Sequence, residues 1–314
     1  MSEDPFSDIL KFTRAESLVT GGFTAGGDWA MRFPAPDKIK FFAVVKGCCW
    51  VRIDGEREPI LVGSGDVGLL TAKRSFVLSS RPDLEPVDAM EIFRAGKSST
   101  AHPGSNTAHL GEGEDFSYLG GHVLLDPMSR ELLADALPPW IHVPASSPQA
   151  TAFKWLLEQL VRERSSDLPG ASLASGQLAQ LLFIQILRAH VGASRDLPVG
   201  WLRALADARI APALRAMHSR PEHAWGLEEL AKETAMSRTS FAVSFKTAAG
   251  VSPLSYLTTW RMRLAERALR DDEVTVAELA GSLGYASESA FSNAFKRTVG
   301  VSPNRYRNVV RNTG

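Results

Sequence analysis

Two stretches decide how this chain is read: Ser237–Pro253, SRTSFAVSFKTAAGVSP, and Ser287–Pro303, SESAFSNAFKRTVGVSP. They lie fifty residues apart and agree at eight of seventeen positions: the leading Ser, both Phe, the Lys and the closing Gly-Val-Ser-Pro. Upstream of the second copy, Thr275 followed by Glu278 forms a capping box. Val276, Leu279, Ala280 and Leu283 then make one apolar face of a short helix. Gly284 supplies the residue that tolerates positive φ in a tight turn, and Ser287 suits the cap of a second helix. Phe291 and Phe295 stand four apart, on the face that is buried. Gly300 ends this helix, and Ser302-Pro303 opens another. The first copy repeats the arrangement with one residue fewer in the turn, through Gly226, Leu227, Leu230 and Ala231, then Ser237, Phe241 and Phe245. Helix, short turn, helix is the helix-turn-helix pattern, here written twice.

The separation has a physical meaning. Between the copies, Pro253 to Arg270 carries a helical apolar stripe at Leu254, Leu257, Met262, Leu264, Ala265 and Leu269. A helix of roughly 17 residues spans about 26 Å. With its flanking turns it would set the two second helices about 34 Å apart, one turn of duplex DNA, facing successive major grooves. Charge agrees with a polyanion partner. The chain is neutral overall, but from Trp201 onward it holds 16 Lys+Arg against 11 Asp+Glu, and residues 1–200 hold 19 against 24.

Residues 207–314 resemble the DNA-binding region of the AraC/XylS family of bacterial transcription regulators. The matching text is AMSRTSFAVSFKTAAGVSPLSYLTTWRMRLAERALR and then VAELAGSLGYASESAFSNAFKRTVGVSPNRYR. The resemblance implies double-stranded DNA as the partner, read by exposed positions on the two second helices. Counting back from the buried Phe residues, these are Arg238, Thr239, Ala242 and Val243, then Glu288, Ser289, Ser292 and Asn293. Arg reads guanine and Asn reads adenine, each through two hydrogen bonds, while Thr and Ser discriminate less. Val243 and Asn293 depart from the long polar or basic residue common at those places; Val243 donates nothing and offers only packing on a thymine methyl. Lys246, Lys296, Arg297, Arg305 and Arg307 are the candidates for phosphate contact.

The amino-terminal part is of another kind. Residues 20–95 read as short strands parted by Gly47, Asp54-Gly55 and Gly63 to Asp66, the pattern of a sandwich or barrel. The polar run 96–117 reads as a loop, and Tyr118 to Leu124 as a closing strand. Helical periodicity follows at Met128 to Leu137, Gln149 to Arg164 and Gly176 to Val191. The strand-rich text RFPAPDKIKFFAVVKGCCWVRIDGE and GSGDVGLL resembles the cupin barrel fused to many AraC-type regulators. The expected fold class is therefore α+β in two domains. A cupin-like sensor and dimerisation domain covers 1–195, with its barrel at about 20–125 and helices at about 126–191. A linker covers 196–206, and an all-α domain with two helix-turn-helix motifs covers 207–314.

Cupin enzymes hold a metal with His and carboxylate groups, but here Phe41-Phe42 and Phe76 occupy places where relatives carry His. His102, His109, His122 and His142 show no metal-ligand spacing. No metal, no cofactor and no catalysis are expected. Trp29, Phe33, Phe42, Trp50 and Phe76 are candidates to line a small-molecule effector pocket, or to form the packed core. Cys48 and Cys49 raise a redox question, though neighbours on a strand point to opposite faces. The resemblance further implies a homodimer and contact with RNA polymerase. No stretch is long and apolar enough for a bilayer, and MSEDPFSDILKF shows no signal-peptide pattern, so a cytoplasmic location is expected. Two other readings stay open: a cupin enzyme fused to a nucleic-acid tether, told apart by bound metal, and a helical protein-interaction module, told apart by salt-dependent DNA binding.

Overall fold

The computed structural model of the chain describes residues 4–71, 74–96, 107–127, 129–165, 168–193, 197–271 and 273–312. They form two compact units. One is Thr13–Asp196; the other joins Met1–Phe12 to Leu197–Gly314. The expectation of a single amino-terminal domain over 1–195 is corrected at its start: the first helix, α1 (Pro5–Phe12), groups with the carboxyl-terminal unit.

The unit 13–196 carries strands β1 (Glu16–Ala25), β2 (Ala30–Phe33), β3 (Ile39–Lys46), β4 (Cys48–Ile53), β5 (Ile60–Gly63), β6 (Val67–Leu70), β7 (Phe76–Ser79), β8 (Val87–Asp88), β9 (Thr107–Leu110), β10 (Phe116–Leu124) and β11 (Trp140–Val143). Its helices are α2 (Ala89–Gly96), α3 (Arg130–Ala134), α4 (Ala150–Arg164) and α5 (Ala171–Ala193). The strands make a six-stranded sheet in the order β11-β6-β3-β10-β1-β9 and a five-stranded sheet in the order β5-β4-β7-β2-β8. Most pairs are antiparallel; β9 on β1 and β8 on β2 are parallel. The two sheets close on one apolar interior, in which Phe42, Val44, Leu70 and Phe116 of the first meet Met31, Cys49, Val51 and Leu78 of the second.

Strand alternation decides what enters that interior. On β3, Phe42 and Val44 point inward, while Ile39, Phe41 and Ala43 are also buried, on the opposite face. That outer face is buried because α5 lies against β1, β6 and β11. Its Ala179, Leu182, Phe183 and Ile186 are buried, and Gln180 Oε1 accepts a 2.9 Å bond from the Ser17 backbone N–H. A strand sandwiched in this way is apolar on both faces, which is why FFAVV reads as a continuous run. At Gly68 on β6, any Cβ would collide with the Phe42 ring and the Ile141 carbonyl.

The other unit is helical: α6 (Trp201–Ala206), α7 (Ala211–Ser219), α8 (Leu227–Glu233), α9 (Arg238–Ala249), α10 (Pro253–Asp271), α11 (Val276–Ser282), α12 (Glu288–Val299) and α13 (Pro303–Asn312). Residues 201–206, expected within a linker, are helical because Trp201, Leu202 and Ala204 are buried. The unit has two cores. Leu214, Met217, Leu230, Phe241, Phe245 and Leu257 belong to the first; Met262, Leu269, Leu279, Phe291, Phe295 and Tyr306 belong to the second. Helix α10 contributes to both. Its Arg261 donates from Nε to the Pro221 carbonyl at 2.5 Å and from Nη2 to the His223 carbonyl at 2.7 Å. The same guanidinium lies 5.7 Å from the centre of the Tyr285 ring, in the turn of the second motif.

Helix α1 completes this unit. Phe12 packs 5.8 Å from Trp260, and Phe6 packs 6.4 Å from Trp201, centre to centre. Between them His218 is fully buried, stacked 4.2 Å from Trp260 and 2.8 Å from the Tyr256 hydroxyl through Nε2. Asp8 Oδ2 stands 3.5 Å from His218 Nδ1, near enough for charge and too far for a good hydrogen bond. Burial holds the His218 pKa below its ordinary value, with Asp8 and Asp4 partly opposing.

Three outcomes test this packing. Phe12→Ala should destabilise the helical unit by about 3–5 kcal/mol in urea unfolding followed by tryptophan fluorescence; an undocked Phe12 would cost less than about 0.5 kcal/mol. Because the folded pKa of His218 is depressed, its contribution is present above the ordinary value of 6.5 and is lost as pH falls through the lower folded value. The urea midpoint should decline over that range, and His218→Gln should flatten the decline. Gly284 has φ +77°, and a Cβ there would strike the Glu222 carbonyl. Gly284→Ala should therefore cost more than the roughly 1–2 kcal/mol of a left-handed alanine, read as a lowered thermal midpoint.

Candidate nucleic-acid interface

Each motif is assembled from the same local parts. In the first, Ser237 accepts from the Ser240 N–H at 3.2 Å and starts α9; in the second, Ser287 accepts from the Ala290 N–H at 3.1 Å and starts α12. Thr275 and Glu278 form the capping box of α11, with bonds of 2.9 and 3.2 Å. Gly250 and Gly300, both left-handed, end α9 and α12, and Pro253 and Pro303 begin the helices that follow. The turns differ by one residue as expected. Gly284 takes the left-handed position in the longer turn, and Ala235 takes it at φ 51° in the shorter.

Two phenylalanines lock each second helix by one face. Phe241 and Phe245, and Phe291 and Phe295, are completely buried, with ring centres 5.7 Å apart in each pair. Helical period then turns the positions between them outward. Arg238, Thr239 and Val243 are exposed on α9, with Ala242 half-buried; Glu288, Ser289 and Asn293 are exposed on α12, with Ser292 half-buried. Val243, at 62% exposure, is a bare apolar residue on this face. Lys246, Lys296, Arg297 and Arg305 are exposed, and among the described residues no ion pair holds any of them. Arg307 is corrected: its guanidinium turns inward and donates to the Val274 carbonyl, so it serves to hold α13 to the segment before α11.

The barrel candidates divide. Trp29, Phe33, Phe42 and Phe76 belong to the interior cluster. Trp50 is corrected: it alternates with the inward Cys49 and Val51, so it faces outward beside Leu61. Phe42 and Phe76 border a small cavity of about 10 Å³, together with Lys40, Leu70, Tyr118 and Trp140. Those last four went unsingled in the sequence, although Lys40 shares the parity of Phe42 and Val44. The cysteines also divide by face: Cys48 is exposed and Cys49 is buried, and burial pushes the Cys49 thiol pKa up. The opposite faces are as expected from strand alternation, and Cys49 is corrected as a redox candidate, since reactivity needs an accessible thiolate.

Two histidines of the barrel unit, His142 and His109, have side-chain partners. His142 Nε2 lies 2.9 Å from Asp66 Oδ2, and Asp66 also accepts from the Gly63 and Ala145 N–H groups. His109 is exposed and meets the Thr24 hydroxyl. His102 lies outside the described residues. Among the described residues, no three His, Cys, Asp or Glu side chains converge as a metal site, and no helix is long and apolar enough to cross a membrane.

Comparison with known proteins agrees with both units. The cupin family matches residues 4–192, and the helix-turn-helix domain family matches residues 230–308. A putative AraC-like transcription regulator of Streptomyces lividans is 40% identical over 304 residues, 97% of this chain and 98% of its own. The HTH-type transcriptional regulator AlkR of Acinetobacter baylyi is 31% identical over 288 residues, 90% of this chain and 91% of its own. Among solved structures, the DNA-binding domain of AdpA in complex with a target DNA is 31% identical, covering 33% of this chain and 95% of that one with a TM-score of 0.33. A cupin-type amino-terminal region and two capped helix-turn-helix motifs, matched along nearly the whole length by regulators of this kind, place the chain in the family of AraC-like transcription regulators.

Proposed function

We propose that α9 and α12 are the two reading helices, entering neighbouring major grooves of one DNA duplex. The observation that carries this reading is the matched pair of faces. Each helix is anchored by two buried phenylalanines and presents a short polar face directly after its serine cap. Arg238 and Asn293 read bases through paired hydrogen bonds, and Thr239, Ser289 and Ser292 add less selective ones. Val243, with Ala242 beside it, packs on a thymine methyl. Lys246, Lys296, Arg297 and Arg305 hold phosphates and set the register.

The barrel unit receives a small effector, and effector binding changes the affinity for DNA through a difference between two states. The protein works as a homodimer, contacts RNA polymerase, acts in the cytoplasm and is not an enzyme. The apolar interior supports the last point, because Phe42 and Phe76 offer no metal donor.

Two substitutions separate the roles. Asn293→Ala should lower affinity by about 1–3 kcal/mol, at one base position, across a panel of operator variants in gel-shift titrations; uniform weakening across the panel would remove Asn293 from the base readers. Lys296→Ala should weaken every sequence alike and reduce the slope of log affinity against log salt by about one.

A further inference from the structure

Between the two helix-turn-helix motifs stands one guanidinium. Helix α10 gives Leu257 to the first core and Met262 to the second, and Arg261 sits where the helix passes from one to the other. Its two hydrogen bonds go to carbonyls of the loop between α7 and α8, at Pro221 and His223. That loop is fastened to the first core. Trp225 is buried there, donates from Nε1 to the Arg220 carbonyl at 3.0 Å, and donates from its backbone N–H to the His223 carbonyl at 2.8 Å.

The same guanidinium meets the second motif. Its carbon lies 5.7 Å from the centre of the Tyr285 ring, close enough for the ring to attract the cation. Tyr285 is itself held in place. It stands edge-on to Phe291 with 5.5 Å between ring centres, and its N–H donates to the Ala280 carbonyl at 2.9 Å, closing the end of α11. Phe291 is one of the two buried residues that lock α12. Beside Tyr285, the turn approaches the loop directly: a Cβ on Gly284 would lie 1.9 Å from the Glu222 carbonyl oxygen and 3.1 Å from Arg261 Nη2. Pro221, Glu222 and His223 are thus joined to the turn of the second motif, two of them through Arg261.

A connecting helix fixes how far apart two bodies lie. It resists their rocking only through the side chains packed along it. A second contact off the helix axis removes that play. Duplex DNA makes such play matter, because each base pair moves the next groove site by about 3.4 Å and about a tenth of a turn. A reader without play matches one spacing. A reader with play follows several and binds the best one less tightly, because ordering its two halves becomes a cost of binding.

We propose that Arg261 is a positioning residue: by tying the Pro221–His223 loop of the first motif to Tyr285 of the second, it holds α9 and α12 at one separation, and so restricts the protein to one distance between its two half-sites on DNA. The inference deepens the reading of α9 and α12 as the two DNA-reading helices, and it rests on that reading. Arg261 acts through those helices, since its donors are committed inside the junction. Lysine is no equivalent here, because a single ammonium lacks the planar fork that reaches two carbonyls and lies against a ring.

The test uses the full chain and duplexes that the wild-type protein selects from a random library. Base pairs are then inserted or removed, one at a time, between the two half-sites, and each duplex is titrated by gel shift. For the wild type, one base pair more or less should weaken binding at least about tenfold. Arg261→Met, which keeps an apolar stem, should weaken the selected spacing about threefold or more and shrink the penalty for a changed spacing to about threefold or less. Arg261→Lys should fall between the two, and Tyr285→Leu should resemble Arg261→Met. The double variant should be no more permissive than either single one, because the two side chains form one restraint. A loss of folded protein lowers binding to every duplex by the same factor, so the ratio between spacings is what separates positioning from stability. Equal weakening at all spacings by Arg261→Met, or an unchanged spacing penalty, would overturn the inference while leaving the two reading helices in place. A wild type that selects no duplex, or duplexes with a single half-site, would overturn the reading of α9 and α12 and the inference with it. Should Arg261→Met not fold, the spacing ratio of Tyr285→Leu decides.

Discussion

Helix α10 is one rigid element shared by two hydrophobic cores, and the geometry of the helical unit depends on it. Leu257 belongs to the core of the first motif, and Met262, Ala265 and Leu269 belong to the core of the second. A helix of 19 residues is about 28 Å long, so the two cores cannot slide past each other without breaking its ladder of hydrogen bonds. Arg261 adds a second restraint near its middle. The guanidinium bonds two carbonyls of the loop at Pro221 and His223 and lies over Tyr285 of the other motif. Gly284 is part of the same junction, because only a residue without Cβ lets the turn approach the Glu222 carbonyl. Two motifs that would separately be small and marginal are in this way one body, which is what simultaneous reading of two grooves requires.

The second constraint is the double burial of the six-stranded sheet. Its inner face encloses aromatic rings, and its outer face is covered by α5. Such a sheet leaves no inexpensive place for a charge. Lys40 is nevertheless on the inner face, with its ammonium over two rings and the buried, apolar Ile39 and Phe41 on either side of it in β3.

The first twelve residues show how far a chain's order can depart from its spatial grouping. Helix α1 sits at the start of the sequence and packs among Trp201, His218 and Trp260, almost two hundred residues or more away. The chain therefore passes between the two units twice, after Phe12 and again before Leu197. Two covalent links therefore join the units, one of them through a helix that is part of the carboxyl-terminal unit's own core.

What the sequence alone determined is what short-range chemistry determines. The Thr275–Glu278 box, the serine caps, the two glycine stops and the Phe pairs four apart were legible because each acts within a turn or two of helix. The exposure of Arg238, Thr239, Glu288, Ser289 and Asn293 followed from the same period, and the text of the two copies carried the resemblance to the family. The strands between Lys40 and Ser79 were legible from alternation and turn residues, to within a residue or so. Helix α1 was missed because eight residues carry too little pattern to say which core receives them. Trp50 was misplaced because a strand's two faces are distinguished by parity, and parity does not say which side is the interior. Only the closing of the two sheets decided that Lys40 borders the same cavity as Phe42, Phe76 and Trp140, and only the packing of α13 turned Arg307 away from solvent toward Val274. Caps and periods are local in the chain; which faces meet is settled by burying all of them at once.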